Sequence, residues 1–122
     1  MAWDPQTAVI FGKPHNAMAH RKRLKSLAGR SHELHTAWVV FDHQRLVSGI
    51  SVCRIHMRHV SDEEIDAYVS DGEGAGCAGG YAVEGKGSFL IDKIEGDWFA
   101  VIGLPLYDVH RALREFGWRF TE

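Results

Sequence analysis

A single carboxylate, Glu84, stands in a stretch dense in glycine, with Gly72, Gly74, Gly76, Gly79, Gly80, Gly85 and Gly87 around it. That density implies backbone at φ > 0, or backbone that something approaches closely. A carboxylate offers only acceptors, so such a loop can take N–H donors from a small ligand. Its flanks read as rigid. Ser88–Glu95 has the character of a strand, and Gly103-Leu-Pro-Leu106 opens the last helix, with Pro105 in a first-turn position where its missing N–H costs nothing. Gly79–Leu106 is therefore the candidate ligand wall, and the rest of the chain is ordered around it.

Other residue patterns imitate chemistry without supplying it. Gly80-Tyr-Ala-Val-Glu-Gly85-Lys86 fits G-x-x-x-x-G-K, but Gly87 stands where a phosphate loop needs Ser or Thr for Mg²⁺. A phosphate loop must also open a helix whose N-terminal N–H groups hold the anion, and Ser88-Phe-Leu-Ile-Asp-Lys-Ile94 is β-like. Gly85-x-Gly87 fails as a dinucleotide fingerprint for the same reason. Eight histidines invite a metal. The pairs His32/His35 and His56/His59, however, lie three apart on predicted strands, where side chains alternate between faces. Chelation needs convergent ligands, so structural or surface histidines are the better reading.

The elements that must position Glu84 follow from periodicity and punctuation. Ala8–Phe11 is a short apolar run. Asn16 to Ala28 reads as a helix stopped by Gly29, with Ala17, Leu24, Leu27 and Ala28 on one side. His20, Arg21, Lys22, Arg23 and Lys25 are assigned to the opposite side as a solvated basic face. Ser31–Asp42 and Leu46–Val60 form a predicted hairpin joined at Asp42-His-Gln-Arg45. Ser61-Asp-Glu-Glu64 is a capping box, opening a helix that buries Ile65, Tyr68 and Val69 and ends at Gly72. The final helix spans Pro105 to Phe116, with Leu106, Val109 and Leu113 at helical spacing.

Composition narrows the function classes. A chain of 122 residues predicts one domain, 1–122, able to bury about two-thirds of its unfolded surface. A net charge of −2 argues against a stable nucleic-acid complex, which usually demands basic excess. No run approaches the roughly 18 apolar residues of a membrane span. Met1-Ala-Trp-Asp4 does not read as a signal peptide. Two cysteines, Cys53 and Cys77, make no disulfide framework, so a cytoplasmic setting is expected.

Gly12-Lys13-Pro14, Leu27–Thr36, Ser61–Val69, Ala78-Gly-Gly-Tyr81, Glu84-Gly-Lys-Gly87, Ile94–Asp97 and Gly103-Leu-Pro-Leu106 occur in the order and spacing of one family. The chain resembles the Maf family of nucleoside triphosphate pyrophosphatases, also called septum-formation inhibitor proteins. The resemblance implies an α/β fold, an elongated mixed sheet with flanking helices like that of inosine triphosphatases. It implies hydrolysis of the α–β phosphate bond to a monophosphate and pyrophosphate, assisted by a divalent metal, Mg²⁺ or Mn²⁺. A homodimer is compatible with it. By motif match Lys13 resembles the family's phosphate-contacting lysine, and an ammonium there would stabilise charge developing on the phosphates.

Glu84 bears on specificity. Members preferring thymidine or uridine triphosphates resemble one another in having Gln at this position. The pattern Cys77-Ala78-Gly79 with Glu84-Gly85 is similar to the branch associated with 7-methylguanosine triphosphate. An acceptor-only carboxylate suits the N1–H and 2-amino donors of guanine, and N7-methylation adds positive charge that a nearby anion favours.

One departure shapes the expectation of activity. The family pattern begins with a Ser-x-Ser-Pro-Arg-like loop and a later Asp-Gln or Asp-Thr pair whose Asp is the metal-binding or water-activating acid. This sequence starts downstream of both, and Asp4 is not expected to substitute. The chain thus resembles the C-terminal portion of such an enzyme, and its catalysis is expected to be impaired. Two alternatives stand beside it. One is a non-catalytic nucleotide-binding or cell-division regulatory module. The other is an incomplete copy that self-associates through exposed sheet.

Overall fold

In a computed structural model describing residues 1–121, five strands form one sheet in the order β2-β1-β3-β4-β5. The strands are β1 Ala2–Asp4, β2 Val9–Phe11, β3 Ser31–Phe41, β4 Leu46–Met57 and β5 Ile91–Glu95. The helices are α1 Ala17–Leu27, α2 Asp62–Asp71, α3 Trp98–Val101 and α4 Leu106–Glu115. The α/β class with flanking helices agrees with expectation. The sheet itself is not mixed: among the described residues every ladder is antiparallel.

The β3–β4 hairpin is the spine, paired from Ser31 opposite His56 to Phe41 opposite Leu46. Its turn is made by Asp42, whose Oδ1 accepts the N–H groups of Gln44 (2.8 Å) and Arg45 (2.9 Å). Those two bonds hold the Asp42 carboxyl below its ordinary range. At the other end, Leu34, Ile55 and Met57 face inward onto α1, α2 and the glycine stretch. The core there is built from Phe11, Leu24, Leu27, Ile65, Tyr68 and Tyr81. Leu24 and Leu27 are each 2% exposed, so each contributes about 1.5–3 kcal/mol by burial.

Punctuation sets the helix limits much as expected. The Asn16 side chain accepts the Ala19 N–H (2.8 Å) at the start of α1, and Gly29 beyond its end takes φ +70°. Gly72 closes α2 at φ +81°. The capping box is only half made. Ser61 Oγ accepts the Glu64 N–H (3.2 Å), but the Glu64 carboxylate turns to Arg58 instead of returning to Ser61. A full cation was a better partner for it than one exposed N–H.

Three elements depart from the sequence reading. The strand predicted from Ser88 starts at Ile91, because Lys86–Leu90 forms a 3₁₀ turn that buries Leu90 and leaves Phe89 exposed. The uninterrupted run Phe89-Leu-Ile91 gave no alternation to place that boundary. Ala2–Asp4 is a central strand, hydrogen-bonded to both β2 and β3, and three residues are too few to show a period. Trp98–Val101 is a short helix capped by Asp97, which accepts the Phe99 N–H at 2.8 Å.

Candidate ligand cavity at the glycine bend

A cavity of about 400 Å³ opens between β3, the Ala78–Glu84 stretch and the end of α3. Thr36 and Ala37 wall one side, Cys77 and Glu84 another, and Ile102 and Gly103 a third. Of the two flanks of the predicted ligand wall, the last one reaches this cavity through Gly103, and the Ser88–Glu95 segment does not line it. Glu84 is exposed and, among the described residues, is the only carboxylate on the lining. Lys13 is exposed and is not part of that lining. Its charge nonetheless reaches the cavity rim. Burial pushes the Cys77 thiol up, the Glu84 and Glu73 carboxylates push it further, and the Lys13 ammonium pulls against them. Cys77 thus lies within electrostatic reach of both predicted site residues.

A slightly larger hollow, about 440 Å³, lies between α2 and the Lys86–Leu90 turn. Its cations are already committed, Arg58 to Glu64 and Lys86 to Asp71, so it has no free charge for an anionic ligand.

The backbone that carries Glu84 is held by a residue the sequence reading passed over. Glu73 accepts the N–H of Lys86 (2.9 Å) through one oxygen and that of Gly87 (3.0 Å) through the other. The Lys86 N–H and the Tyr68 hydroxyl hold the Glu73 carboxyl below its usual range, with the Gly87 N–H adding to them against a smaller opposing effect of burial. Tyr68 in turn accepts the Ala82 N–H (2.9 Å). The amides that a phosphate loop would offer to a nucleotide are here occupied by an internal carboxylate. The rejected phosphate-loop motif is thus a nest already filled from inside the chain. Gly85 is required for this: a Cβ there would overlap the Glu73 carboxylate.

α1 braces the other side. His20 is buried (2% exposed), with Nε2 2.5 Å from the Gly80 carbonyl. Gly80 has φ +86°, and a Cβ on it would come within 2.8 Å of the His20 ring. The assignment of His20 to the solvated face is therefore corrected. His20, Leu24 and Leu27 are spaced i, i+4 and i+7, one helical face, and that signal was present in the sequence. Arg23 donates to the Gly12 carbonyl (2.7 Å) and stacks over Phe11. Arg21 and Lys25 pair with Asp66 (2.5 Å) and Asp62 (3.2 Å) on α2. Most of the basic run is a set of clamps, two of them on the backbone beside Lys13 and before Glu84.

Asp4 has a structural role. It is 2% exposed, bonds Arg30 (2.7 Å) and accepts the Gln6 N–H (2.9 Å). Burial pushes its carboxyl up, yet bonds from Gln6, Thr7 and Arg30 outweigh that and leave it lowered. His32 and His35 do part company: His32 is buried against the Tyr81 hydroxyl (2.5 Å), while His35 is only partly buried. Among the described residues no three His, Cys, Asp or Glu side chains converge as metal ligands. With Glu84 the one carboxylate among the described residues of the cavity lining, the residues present do not fit a resident Mg²⁺ or similar oxygen-seeking ion.

An antiparallel α/β frame carries a walled cavity, of the size small-ligand sites have, with one carboxylate on its lining. The comparison with known families makes this specific. Residues 1–116 match the family described as Maf-like protein, and the chain belongs to that family. It is 37% identical over 97 residues to the dTTP/UTP pyrophosphatase of Pyrococcus furiosus, covering 80% of this chain and 51% of that protein. It is 37% identical over 110 residues to the dTTP/UTP pyrophosphatase of Thermus thermophilus, covering 90% and 59%. The nucleoside triphosphate pyrophosphatase of Synechococcus sp. (strain JA-2-3B'a(2-13)) is 39% identical over 115 residues, covering 93% and 58%. The chain thus spans somewhat more than half the length of these relatives.

Proposed function

We propose that this chain forms the base-reading half of a nucleoside triphosphate pyrophosphatase site, in which water cleaves the α–β phosphate bond to give a monophosphate and pyrophosphate. The observation that carries the proposal is the 400 Å³ cavity with Glu84 on its wall in a Maf-family chain. Its volume falls in the range of small-ligand sites. Glu84 accepts N–H donors of the base, and Lys13 stabilises the triphosphate charge. A divalent ion, Mg²⁺ or Mn²⁺, enters this proposal with the nucleotide, since Mg²⁺ keeps several waters and substrate phosphate oxygens as ligands. The setting proposed is the cytoplasm.

Two bases compete. Relatives named for dTTP and UTP favour a pyrimidine, whose single N3–H a carboxylate can accept. The expectation of 7-methyl-GTP rests on the Cys77-Ala78-Gly79 and Glu84-Gly85 pattern, and on the paired donors and positive charge of that base. Pyrophosphate release from dTTP, UTP and 7-methyl-GTP, with Mg²⁺ or Mn²⁺, ranks them. Glu84→Ala is expected to change that ranking, and Lys13→Ala to weaken all three nucleotides about equally, each by roughly 10-fold or more. Unchanged ranking in Glu84→Ala removes its role.

A second reading, nucleotide binding without turnover, is favoured by the single carboxylate on the lining, because activating a water needs a base of its own. Calorimetric titration separates the two. Saturable binding without pyrophosphate release supports the module, and no binding of any of the three nucleotides sinks both.

A further inference from the structure

At the end of the β3–β4 hairpin away from its turn, three neighbouring strands bring a hydroxyl, an imidazole and a carboxylate together. Ser31 on β3 lies opposite His56 on β4, and Glu95 on β5 reaches His56 from a diagonal position. Ser31 Oγ is 2.8 Å from His56 Nδ1, and His56 Nε2 is 3.6 Å from Glu95 Oε1. Nε2 is shielded from solvent and makes no hydrogen bond, so that carboxylate is the polar group nearest to it. A carboxylate there favours the tautomer that carries its proton on Nε2. Nδ1 is then an acceptor and the Ser31 hydroxyl its donor. Lys93, 2.9 Å from Glu95, is the main cause holding that carboxyl below its ordinary range, and His56 adds to it. Ser31 also lines a polar hollow of about 220 Å³ with Gln6, Glu33 and Arg54. The hollow shares no lining residue with the candidate nucleotide cavity. Arg54 stands in register between Glu33 and Glu95, yet Glu33 turns to His35 (3.5 Å) and Glu95 to Lys93. Its guanidinium therefore has no ion pair among the described residues.

We propose that Ser31, His56 and Glu95 make a second, hydrolytic site in this chain, one that takes small carboxylic esters. Such a constellation is defined by geometry and roles, whatever the order of its members in the chain. Ser31 Oγ attacks the ester carbonyl carbon as its proton passes to His56 Nδ1. The Arg54 guanidinium, on the same hollow, holds the oxyanion. As the carbonyl re-forms, the C–O bond to the alcohol breaks and His56 returns the proton to the departing oxygen. Water then attacks the acyl carbon on Ser31 and gives a proton to His56. The C–Oγ bond breaks, the carboxylic acid leaves, and His56 reprotonates Ser31 Oγ. Glu95 touches no reacting atom and is a positioning residue that fixes the His56 ring and its tautomer. The hollow is smaller than the roughly 300 Å³ at which drug-sized sites begin, which limits the acyl group to about the size of acetyl.

Hydrolysis of p-nitrophenyl acetate by the 122-residue chain, with peptide mapping after a fluorophosphonate probe, tests this. The expected result is one phosphonylated residue, Ser31, and saturable ester turnover. Ser31→Ala is expected to abolish labelling and lower turnover at least about 100-fold, and His56→Gln to do the same. Arg54→Ala should lower kcat about 100-fold. Glu95→Gln should lower kcat with KM unchanged, and Glu95→Asp should restore part of it, a split that a purely structural role would not produce. Ser48→Ala, at an exposed position of β4, should change neither readout. An unlabelled wild-type chain, label on another residue, or ester turnover that survives Ser31→Ala overturns the proposal.

Discussion

Glu73 does for the Glu84 bend what a bound anion would do in a phosphate loop. Its two oxygens hold two successive amides, and Tyr68 ties it to the Ala82 N–H. The bend is thereby set before any ligand arrives, which lowers the ordering cost of binding. Glu73→Ala should release the Lys86 and Gly87 amides. Hydrogen exchange at Gly85–Gly87 is expected to quicken about 10-fold or more while exchange in β3 and β4 stays slow. Glu73→Gln keeps carbonyl acceptance for one amide and should fall between. Uniform acceleration through the sheet would mean that Glu73 supports the fold at large and has no local part in fixing Glu84. The sequence did not disclose this residue because its partners are backbone groups thirteen and fourteen residues away. The glycines at 85 and 87 recorded only that something approached.

At the scale of elements, α1 links the Lys13 side of the site to the glycine bend. Arg23 and His20 lie on adjoining strips of one helix and hold the Gly12 and Gly80 carbonyls. His20→Ala leaves the buried Gly80 carbonyl unpaired and is expected to cost about 1–3 kcal/mol in denaturant unfolding. Lys22→Ala, at an exposed position of the same helix, should stay within about 0.5 kcal/mol. Equal effects would return His20 to the solvated face. The hairpin, α1, α2 and α4 were legible because each is long enough to show a period, and the three helices are stopped at Gly29, Gly72 and Gly117. β1, α3 and the Lys86–Leu90 turn were not, being three to five residues held by tertiary partners. The candidate site was legible only as a stretch. That Glu84 and Cys77 face one cavity with Thr36 and Gly103 depends on a β3 register that no local pattern encodes.

For the molecule as a whole, the buried polar groups around β1 and β3 predict acid lability with a definite sign. Burial lowers the His32 imidazole from 6.5 to about 4, and the Asp4 carboxylate opposes that only in part. Between those two values the unfolded chain binds a proton that the folded chain refuses, so stability is full above pH 6.5 and falls as pH drops toward 4. The loss is about 3 kcal/mol, or roughly 10 °C in melting temperature for a domain of this size. Asp4, whose carboxyl is lowered in the fold, stabilises above its ordinary 3.8 and loses that contribution as pH falls further, so the two effects run in the same direction. Thermal melting at pH 7, 5.5 and 4.5 gives the slope. His32→Gln retains a neutral partner for the Tyr81 hydroxyl but cannot titrate, so it should melt lower at pH 7 and show a flatter decline. A variant whose melting temperature falls with pH as steeply as the wild type would place the acid sensitivity elsewhere in the molecule.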